Sequence, residues 1–237
     1  MPNARRGFVP TDERDFNREN MELLKKAQQD ILYLVERGYP IKGASTFVGN
    51  HYLLSERQRL ALVRATTSRD IIELRQKKRL ERNELSGRVV IDGLNTIITL
   101  EVAFSKGVLV RCMDGTIRDL AGLRGTYRII DETRAAIHIL GEHLSGLDIQ
   151  EAVFYLDAPV SNTGRLKTLI YELLDGCPFR VEVEVINNVD VVLEGESRIV
   201  TSDAIILNKC GSWYNLVPDL LNDKLPEAPV IDLSNFA

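Results

Sequence analysis

The sequence has 237 residues and a net charge of −4, with 44% hydrophobic and 27% charged residues. These values are typical of a globular protein with a proper core, and they argue against a protein that coats nucleic acid through bulk positive charge. Three widely spaced cysteines form no CxxC pair, so no disulfide framework or zinc ribbon is indicated, and a cytoplasmic protein is expected. No membrane partner is expected either, since there is no long apolar run and no signal-peptide hydrophobic region.

The first part of the chain is predicted to be helical. Residues 1–17 are expected to fray, and the apolar spacing that follows predicts a helix over 18–36. A short helix is expected over 42–49, and the sequence SERQ (55–58) has the form of a capping box that opens a further helix. These elements predict a small all-α domain over residues 1–68.

The second and third of these helices have two interpretations. They form either a helix-turn-helix that reads DNA with Arg57, Arg59 and Arg64, or a helical module that packs on its neighbour or joins two copies in a homodimer. The glycine and spacing pattern of a good DNA-binding motif is missing, which favours the module.

Residues 69–87 are strongly charged and contain few apolar side chains. They are predicted to form a solvated linker helix. Its basic residues also suit a phosphate backbone, and the two interpretations are compatible.

From residue 88 to 237 the pattern changes to strands alternating with helices. Apolar segments at 89–91, 151–157, 179–186 and 198–203 predict strands, and Asp114-Gly115 predicts a hairpin turn. Such alternation is typical of a three-layer, Rossmann-like α/β domain with a mostly parallel sheet.

Three of the predicted strands end in an aspartate, namely Asp92, Asp157 and Asp203. Parallel α/β sheets bind ligands beyond the carboxyl ends of their strands, so these side chains are expected to lie in one small volume. Carboxylates at such short distances repel each other unless a cation neutralises them. Their oxygen atoms are hard ligands, which suit Mg²⁺ or Mn²⁺. The coincidence of three strand-end acids therefore predicts a metal site.

Each acid also has a simpler interpretation. Asp92 would cap the turn that contains Gly93 and Asn95, Asp157 would be an ordinary loop residue, and Asp203 would be the N-cap of the next helix. When each acid is considered singly, this simpler interpretation is the better one.

Residues suited to phosphate chemistry lie nearby in the sequence. Arginines are frequent between residues 111 and 128, and SNTGR (161–165) combines hydroxyls and a glycine with the start of a predicted helix. Neither a Walker A loop nor a dinucleotide-binding glycine motif is present.

Two short motifs resemble known nucleases. IDGLN (91–95) is similar to the opening of PIN-like and NYN nuclease domains, and TSDAII (201–206) resembles their strand–[TS]-x-D–helix element. More widely, the chain from about residue 18 to 215 resembles an uncharacterised, largely archaeal prokaryotic family. That family joins a helical N-terminal domain of unknown function 434 to a PIN-like C-terminal domain. RGYPIKGASTFVGNHYLLSERQRLALVRA resembles the first, and VVIDGLNTIITLE, DGTIRDLAGLRGTYR, LDAPVSNTGR and TSDAIIL resemble the second.

The resemblance implies a PIN fold and Mg²⁺- or Mn²⁺-dependent hydrolysis of RNA. Asp92 then corresponds to the first acid of the family, Asp203 to the acid of the TxD element, and Asp157 to the acid of LDAPVSNTG. Asn95 would orient a water molecule or a phosphate. The additional helix acid of PIN nucleases has two candidates here, Asp119 and Glu132.

Two hypotheses follow. In the first, the protein is a metal-dependent ribonuclease whose substrate phosphates are bound by Arg118, Arg124 and Arg165. In the second, it is a non-catalytic RNA- or DNA-binding or regulatory module with a degenerate PIN-like fold, in which the acids serve structure. The second predicts salt-sensitive nucleic-acid binding that survives loss of the acids.

Overall fold

The computed structural model describes residues 5–122 and 125–234. Its helices are α1 (Asp12–Asp15), α2 (Arg18–Val35), α3 (Ile41–His51), α4 (Glu56–Ala65), α5 (Arg69–Gln76), α6 (Gly93–Phe104), α7 (Asp131–Ser145), α8 (Thr163–Leu173), α9 (Val189–Leu193), α10 (Ala204–Lys209) and α11 (Leu216–Lys224). Its strands are β1 (Arg79–Leu80), β2 (Ser86–Asp92), β3 (Leu109–Arg111), β4 (Ile117–Asp119), β5 (Asp148–Asp157), β6 (Arg180–Ile186), β7 (Ile199–Val200), β8 (Trp213–Tyr214) and β9 (Val230–Asp232). Within the described ranges, no helix has both the length and the apolar character needed to cross a membrane.

The central feature is a six-stranded parallel sheet with the order β1-β8-β7-β2-β5-β6. β2 lies in its interior, and its alternate residues face opposite sides. Val89 and Ile91 pack into a core with residues of α6, α7, α8 and α11, whereas Val90 packs into another with residues of α9 and α10. Burial on both faces explains the continuous apolar run of this strand. The predicted three-layer α/β architecture is confirmed.

The predicted hairpin at Asp114-Gly115 is also confirmed. β3 and β4 pair in antiparallel fashion, and Gly115 has a φ of +81°, a conformation that side chains with a Cβ rarely adopt. β9 joins β3 to complete a second, three-stranded sheet.

The helical region packs directly on this second sheet. Leu24, Ile31 and Leu62 share one buried core with Val110 and Leu120 of the hairpin. α4 begins with the predicted capping box, since Ser55 Oγ accepts a hydrogen bond from Gln58 N (3.2 Å) and Gln58 Oε1 accepts one from Ser55 N (2.9 Å). The predicted helices are therefore present, and their core continues past residue 68.

The single solvated linker helix predicted over 69–87 is wrong. α5 ends at Gln76, and Arg79–Leu80 pairs with β8 as the outermost strand of the main sheet. α5 is also fastened to the α/β region, because Trp213 Nε1 donates a hydrogen bond of 2.8 Å to the carbonyl of Arg75. Long-range pairing therefore overrides the local charge pattern.

The described part of the N-terminal segment is not frayed, contrary to the prediction. Arg6 forms an ion pair of 2.7 Å with the buried Glu101 of α6, and Arg57 of α4 forms one of 2.8 Å with Asp12 of α1. These buried contacts fix residues 5–15 against the helical region and against α6 of the α/β region.

A buried charge cluster connects the helical region, the hairpin and the main sheet. The Asp114 side chain is fully buried and accepts hydrogen bonds from Arg75, from Arg118 (2.8 Å) and from Thr116 Oγ1 (2.6 Å). Burial by itself raises the pKa of Asp114, but Arg118 and Arg75 outweigh it and leave the pKa below its ordinary value. The carboxylate is therefore ionised and fully paired.

The two arginines extend this cluster to other backbone segments. Arg118 donates to the carbonyl of Ser202 (2.8 Å), which follows β7, and to the carbonyl of Arg64 at the end of α4. Arg75 donates to the carbonyl of Ala204 (3.1 Å) in α10. Segments distant in sequence thus meet at one carboxylate.

We predict that Asp114→Asn destabilises the protein by about 3–5 kcal/mol, because it leaves two buried guanidinium groups without their counter-charge. Urea unfolding followed by circular dichroism measures this change. Asp175→Asn is the matched control, since Asp175 is exposed and should change stability by less than about 0.5 kcal/mol. Equal stability of the two variants would contradict this role of Asp114.

Candidate functional site

The carboxyl edge of the main sheet contains the point at which the strand order reverses. From β2 the chain continues to β5 and β6 on one side and later to β7 and β8 on the other. Ligands of open α/β sheets bind at such a crevice. Asp92 ends β2, and Thr201, Ser202 and Asp203 follow β7, so these residues meet across it.

Asp92 is the most deeply buried acid of this edge. It is 6% exposed, and its Oδ2 accepts a hydrogen bond of 2.7 Å from Thr201 Oγ1. Burial raises the pKa of Asp92 from 3.8 to about 7; Thr201 opposes the shift, and the nearby charge of Asp203 adds to it. Its side chain makes no capping hydrogen bond of normal geometry to α6, although the N–H of Asn95 is near enough to oppose the pKa rise slightly. Turn capping therefore does not explain this carboxylate.

Asn95 and Asp203 have structural contacts as well as their place at the edge. Asn95 Oδ1 accepts hydrogen bonds from Ser202 N (3.0 Å) and Ser202 Oγ (2.9 Å), which fixes the start of α6 to the end of β7. Asp203 Oδ1 accepts hydrogen bonds from Ile205 N (2.7 Å) and Ile206 N (3.2 Å), so Asp203 is the N-cap of α10. The simpler interpretation of Asp203, as a helix N-cap, is confirmed. Asp203 nevertheless lies close enough to Asp92 for its charge to raise the pKa of Asp92.

A fourth acid, Asp190, lies at this edge and is not among the residues predicted from the sequence. It lies in the first turn of α9, directly after β6, and its pKa is raised by burial and then by the charges of Asp203, Asp157 and Glu194. The charge of Asp190 also raises the pKa of Asp92. Asp190 is therefore close enough to interact with Asp157 on one side and with Asp92 and Asp203 on the other. Burial raises the pKa of Asp157 too. A weaker signal was present in the sequence, because Asp190 in NNVD comes shortly after the strand VEVEVI, as Asp203 comes shortly after β7.

The acidic edge, defined here as Asp92, Asp157, Asp190 and Asp203, has no cationic side chain in contact. Within residues 5–122 and 125–234, none of the four forms an ion pair with Lys, Arg or His. No ion pair among the described residues therefore neutralises these like charges, although the buried Arg118 is close enough for the charge of Asp203 to contribute to its raised pKa.

The distances between possible ligands bear on the predicted metal site. In the described part of the chain, no three His, Cys, Asp or Glu side chains are close enough together to enclose a metal ion. A cage of Asp92, Asp157 and Asp203 is thus not formed by these side chains. Mg²⁺, however, usually binds one or two carboxylates and completes its shell with water and substrate phosphates. The donor set at Asp92 and Asp203 fits that mode.

The two acids expected to complete the site lie elsewhere. Asp119 of β4 belongs to the second sheet, is buried, and accepts hydrogen bonds from Ala121 N (2.7 Å) and Thr99 Oγ1 (3.4 Å). Glu132 lies in the first turn of α7. Neither is among the groups that shift the pKa of Asp92, Asp157 or Asp190.

The three arginines predicted to bind phosphate have different environments. The prediction that Arg118 binds phosphate is wrong, because this side chain is buried and its guanidinium group is bonded to Asp114 and to two backbone carbonyls. Arg165 is exposed in the first turn of α8, as a phosphate ligand requires. Arg124 lies outside the described residues.

Two side chains of the SNTGR loop are occupied by the protein itself. Ser161 Oγ accepts a hydrogen bond from Tyr127 N (2.9 Å), and Asn162 Nδ2 donates one of 2.6 Å to the Tyr127 carbonyl. They fasten the segment after β4 to the start of α8, rather than offering their polar groups to an anion.

The helix-turn-helix interpretation loses its main support. Arg57 is paired with Asp12, and Arg59 donates to the carbonyls of Leu54 (2.9 Å) and Gly49 (2.8 Å). These guanidinium groups stabilise the helical region, which favours a packing module over a DNA-reading helix.

Comparison with known families covers both regions of the chain. Residues 82–219 match the family described as Domain of unknown function (DUF5616), and residues 23–78 match Protein of unknown function (DUF434). The chain belongs to the DUF5616 family. The match to DUF5616 includes all four acids of the acidic edge, and the match to DUF434 confirms the resemblance seen for the helical part.

A relative of this DUF5616 protein occurs in an archaeon. An uncharacterized protein of Methanocaldococcus jannaschii is 36% identical over 203 residues, which are 85% of this chain and 96% of that protein. No solved structure matches the chain.

We predict that the free energy of unfolding in EDTA falls as the pH rises from about 4 to 7, because the raised pKa of Asp92 makes the folded state bind a proton more tightly than the unfolded state. Asp92→Asn removes this dependence and makes the protein more stable at pH 8, by on the order of 4 kcal/mol at most. Urea unfolding at pH 5 and pH 8 measures the effect. Parallel pH dependences in wild type and variant would rule it out.

Proposed function

We propose that this protein hydrolyses phosphodiester bonds of RNA with the help of Mg²⁺ or Mn²⁺ bound at the acidic edge. One observation carries the proposal: the buried Asp92 lies with Asp203 and Asp190 at the switch point of a parallel sheet, without a cationic partner among the described residues. An uncompensated carboxylate at such a place is costly, and a divalent cation offsets that cost.

Asp92 and Asp203 are the residues that would hold the ion. Thr201 keeps the Asp92 carboxylate in place through its hydrogen bond, and the contact of Asn95 with Ser202 fixes the two loops to each other. A bound divalent cation supplies a water of lowered pKa and neutralises charge on a phosphoryl oxygen. Asp190 and Asp157 flank the pair, where a carboxylate of raised pKa is suited to accept a proton from water.

RNA as the substrate rests on the resemblance of IDGLN and TSDAII to PIN-like and NYN nucleases. Arg165 supports a polyanionic substrate, because its exposed side chain lies eight residues after Asp157 on the helix that follows β5.

We expect wild-type protein to cleave single-stranded RNA with Mn²⁺ and not in EDTA. Asp92→Asn and Asp190→Asn should each lower the rate by about 100-fold or more, since the first removes a charged ligand of the ion and the second a carboxylate suited to accept a proton from water. Glu132→Gln is the matched control and should retain the wild-type rate, because Glu132 is not among the groups that shift the pKa of Asp92, Asp157 or Asp190. The measurement is the initial rate of cleavage of a labelled RNA, with circular dichroism to verify folding.

The same assay separates Asp190 from Glu132 as the fourth acid. Loss of activity in Glu132→Gln with retention in Asp190→Asn would reverse our assignment. Equal rates for wild type and Asp92→Asn would refute catalysis at this edge.

A non-catalytic nucleic-acid-binding module is the second candidate. It is favoured by the lack, among the described residues, of three acids close enough to enclose a metal ion. It predicts RNA binding in EDTA that weakens steeply with salt and is equal in wild type and Asp92→Asn, with no cleavage under any metal.

A further inference from the structure

A cavity of about 360 Å³ lies between the N-terminal segment and the loop that precedes α7, and none of its lining residues belongs to the acidic edge. Residues 5–7 form one wall, and Ala121, Thr126, Arg128 and Ile130 form the other. Three of its lining side chains are arginines, Arg5, Arg6 and Arg128, and none is acidic. The volume lies at the lower end of the range for small-ligand sites.

The walls of this arginine pocket are held by a buried network. Glu101 of α6 pairs with Arg6 (2.7 Å) and accepts hydrogen bonds from Tyr127 (2.6 Å) and Thr133. Gly7 lies so close to α6 that a Cβ there would meet Val102 Cγ2 at 2.9 Å. Both walls are therefore fixed to the same helix.

Two of the three guanidinium groups keep their charge unneutralised. Arg6 is paired with Glu101, but within the described residues neither Arg5 nor Arg128 has an acidic side chain within ion-pair distance. Arg5 is held in place by a hydrogen bond of 3.0 Å to the Ser105 carbonyl and by stacking at 3.5 Å on the ring of Phe8. Arg128 has an exposed side chain, while its carbonyl accepts a hydrogen bond from Arg6.

This arrangement is chemically selective. Guanidinium groups present several donors in a fixed plane and bind phosphate with paired, charge-assisted hydrogen bonds. A phosphate monoester offers three terminal oxygens and more negative charge than a carboxylate, and a phosphodiester offers two terminal oxygens and one negative charge. Two unpaired arginines held around a small cavity therefore suit a phosphate group of either kind.

We propose that the arginine pocket binds a phosphate group through Arg5 and Arg128. The pocket is distinct from the acidic edge, because Glu101 beneath it lies nine residues along α6 from Asp92, about 14 Å at the rise of a helix. The phosphate comes either from the backbone of an RNA strand, which rests on the proposed function, or from a free nucleotide, which does not.

The test measures binding in EDTA, so that its result does not depend on cleavage. A short fluorescein-labelled oligouridylate is titrated by fluorescence anisotropy at several salt concentrations, and AMP is titrated by calorimetry. The variant is Arg5→Gln combined with Arg128→Gln. Arg18→Gln is the matched control, since Arg18 is an exposed arginine of another cavity, one that also contains the acids Glu19 and Glu22.

For the RNA source, the double variant binds oligouridylate about tenfold more weakly, and the slope of log K against log salt falls by about 1.4, as expected for two lost contacts to a single strand. For the free-nucleotide source, the double variant loses AMP binding and keeps its affinity for oligouridylate. Unchanged binding of both probes, or an equal loss in Arg18→Gln, overturns the proposal. If the double variant is less stable than wild type, Arg128→Gln alone decides, because that side chain is exposed.

Discussion

The structure depends on one buried carboxylate, Asp114, and the two arginines that neutralise it. Burying the Asp114 carboxylate without Arg75 and Arg118 would be prohibitively costly in free energy. Burying the two guanidinium groups without Asp114 would be equally unfavourable. Because each arginine also binds backbone carbonyls, the cluster determines where α10 and the end of β7 lie relative to the hairpin. The position of Ser202, and through it that of Asn95, follows from this constraint.

Asp92 provides the contrast. Both Asp92 and Asp114 are buried aspartates at the end of a strand or in its turn, yet burial raises the pKa of Asp92 to about 7, while the pKa of Asp114 is lowered. The difference is the partner: two guanidinium groups at Asp114, and a hydroxyl with two further acids at Asp92. This contrast is the reason for our proposal that a divalent cation binds at Asp92 and not at Asp114.

The sequence was sufficient for the elements with strong local signals. The capping box at 55–58, the hairpin turn at Asp114, the acids that end β2 and β5 and the acid that follows β7 were all predicted, because each depends on residues close in sequence. The strand β1 was not, because a two-residue strand has no periodicity of its own and is defined only by its pairing with β8. Asp190 was missed for a related reason: it lies in the next helix, and three residues separate it from its strand.

By itself, the sequence determined the alternation of strands and helices and hence a parallel sheet with acids at its carboxyl edge. Only the tertiary structure decided which charged side chains are available. Arg118 looked like a phosphate ligand, but its guanidinium binds Ser202, 84 residues away, and is buried. Whether a charge is solvated or neutralised depends on partners brought together by folding, whereas backbone periodicity is a local property of the chain.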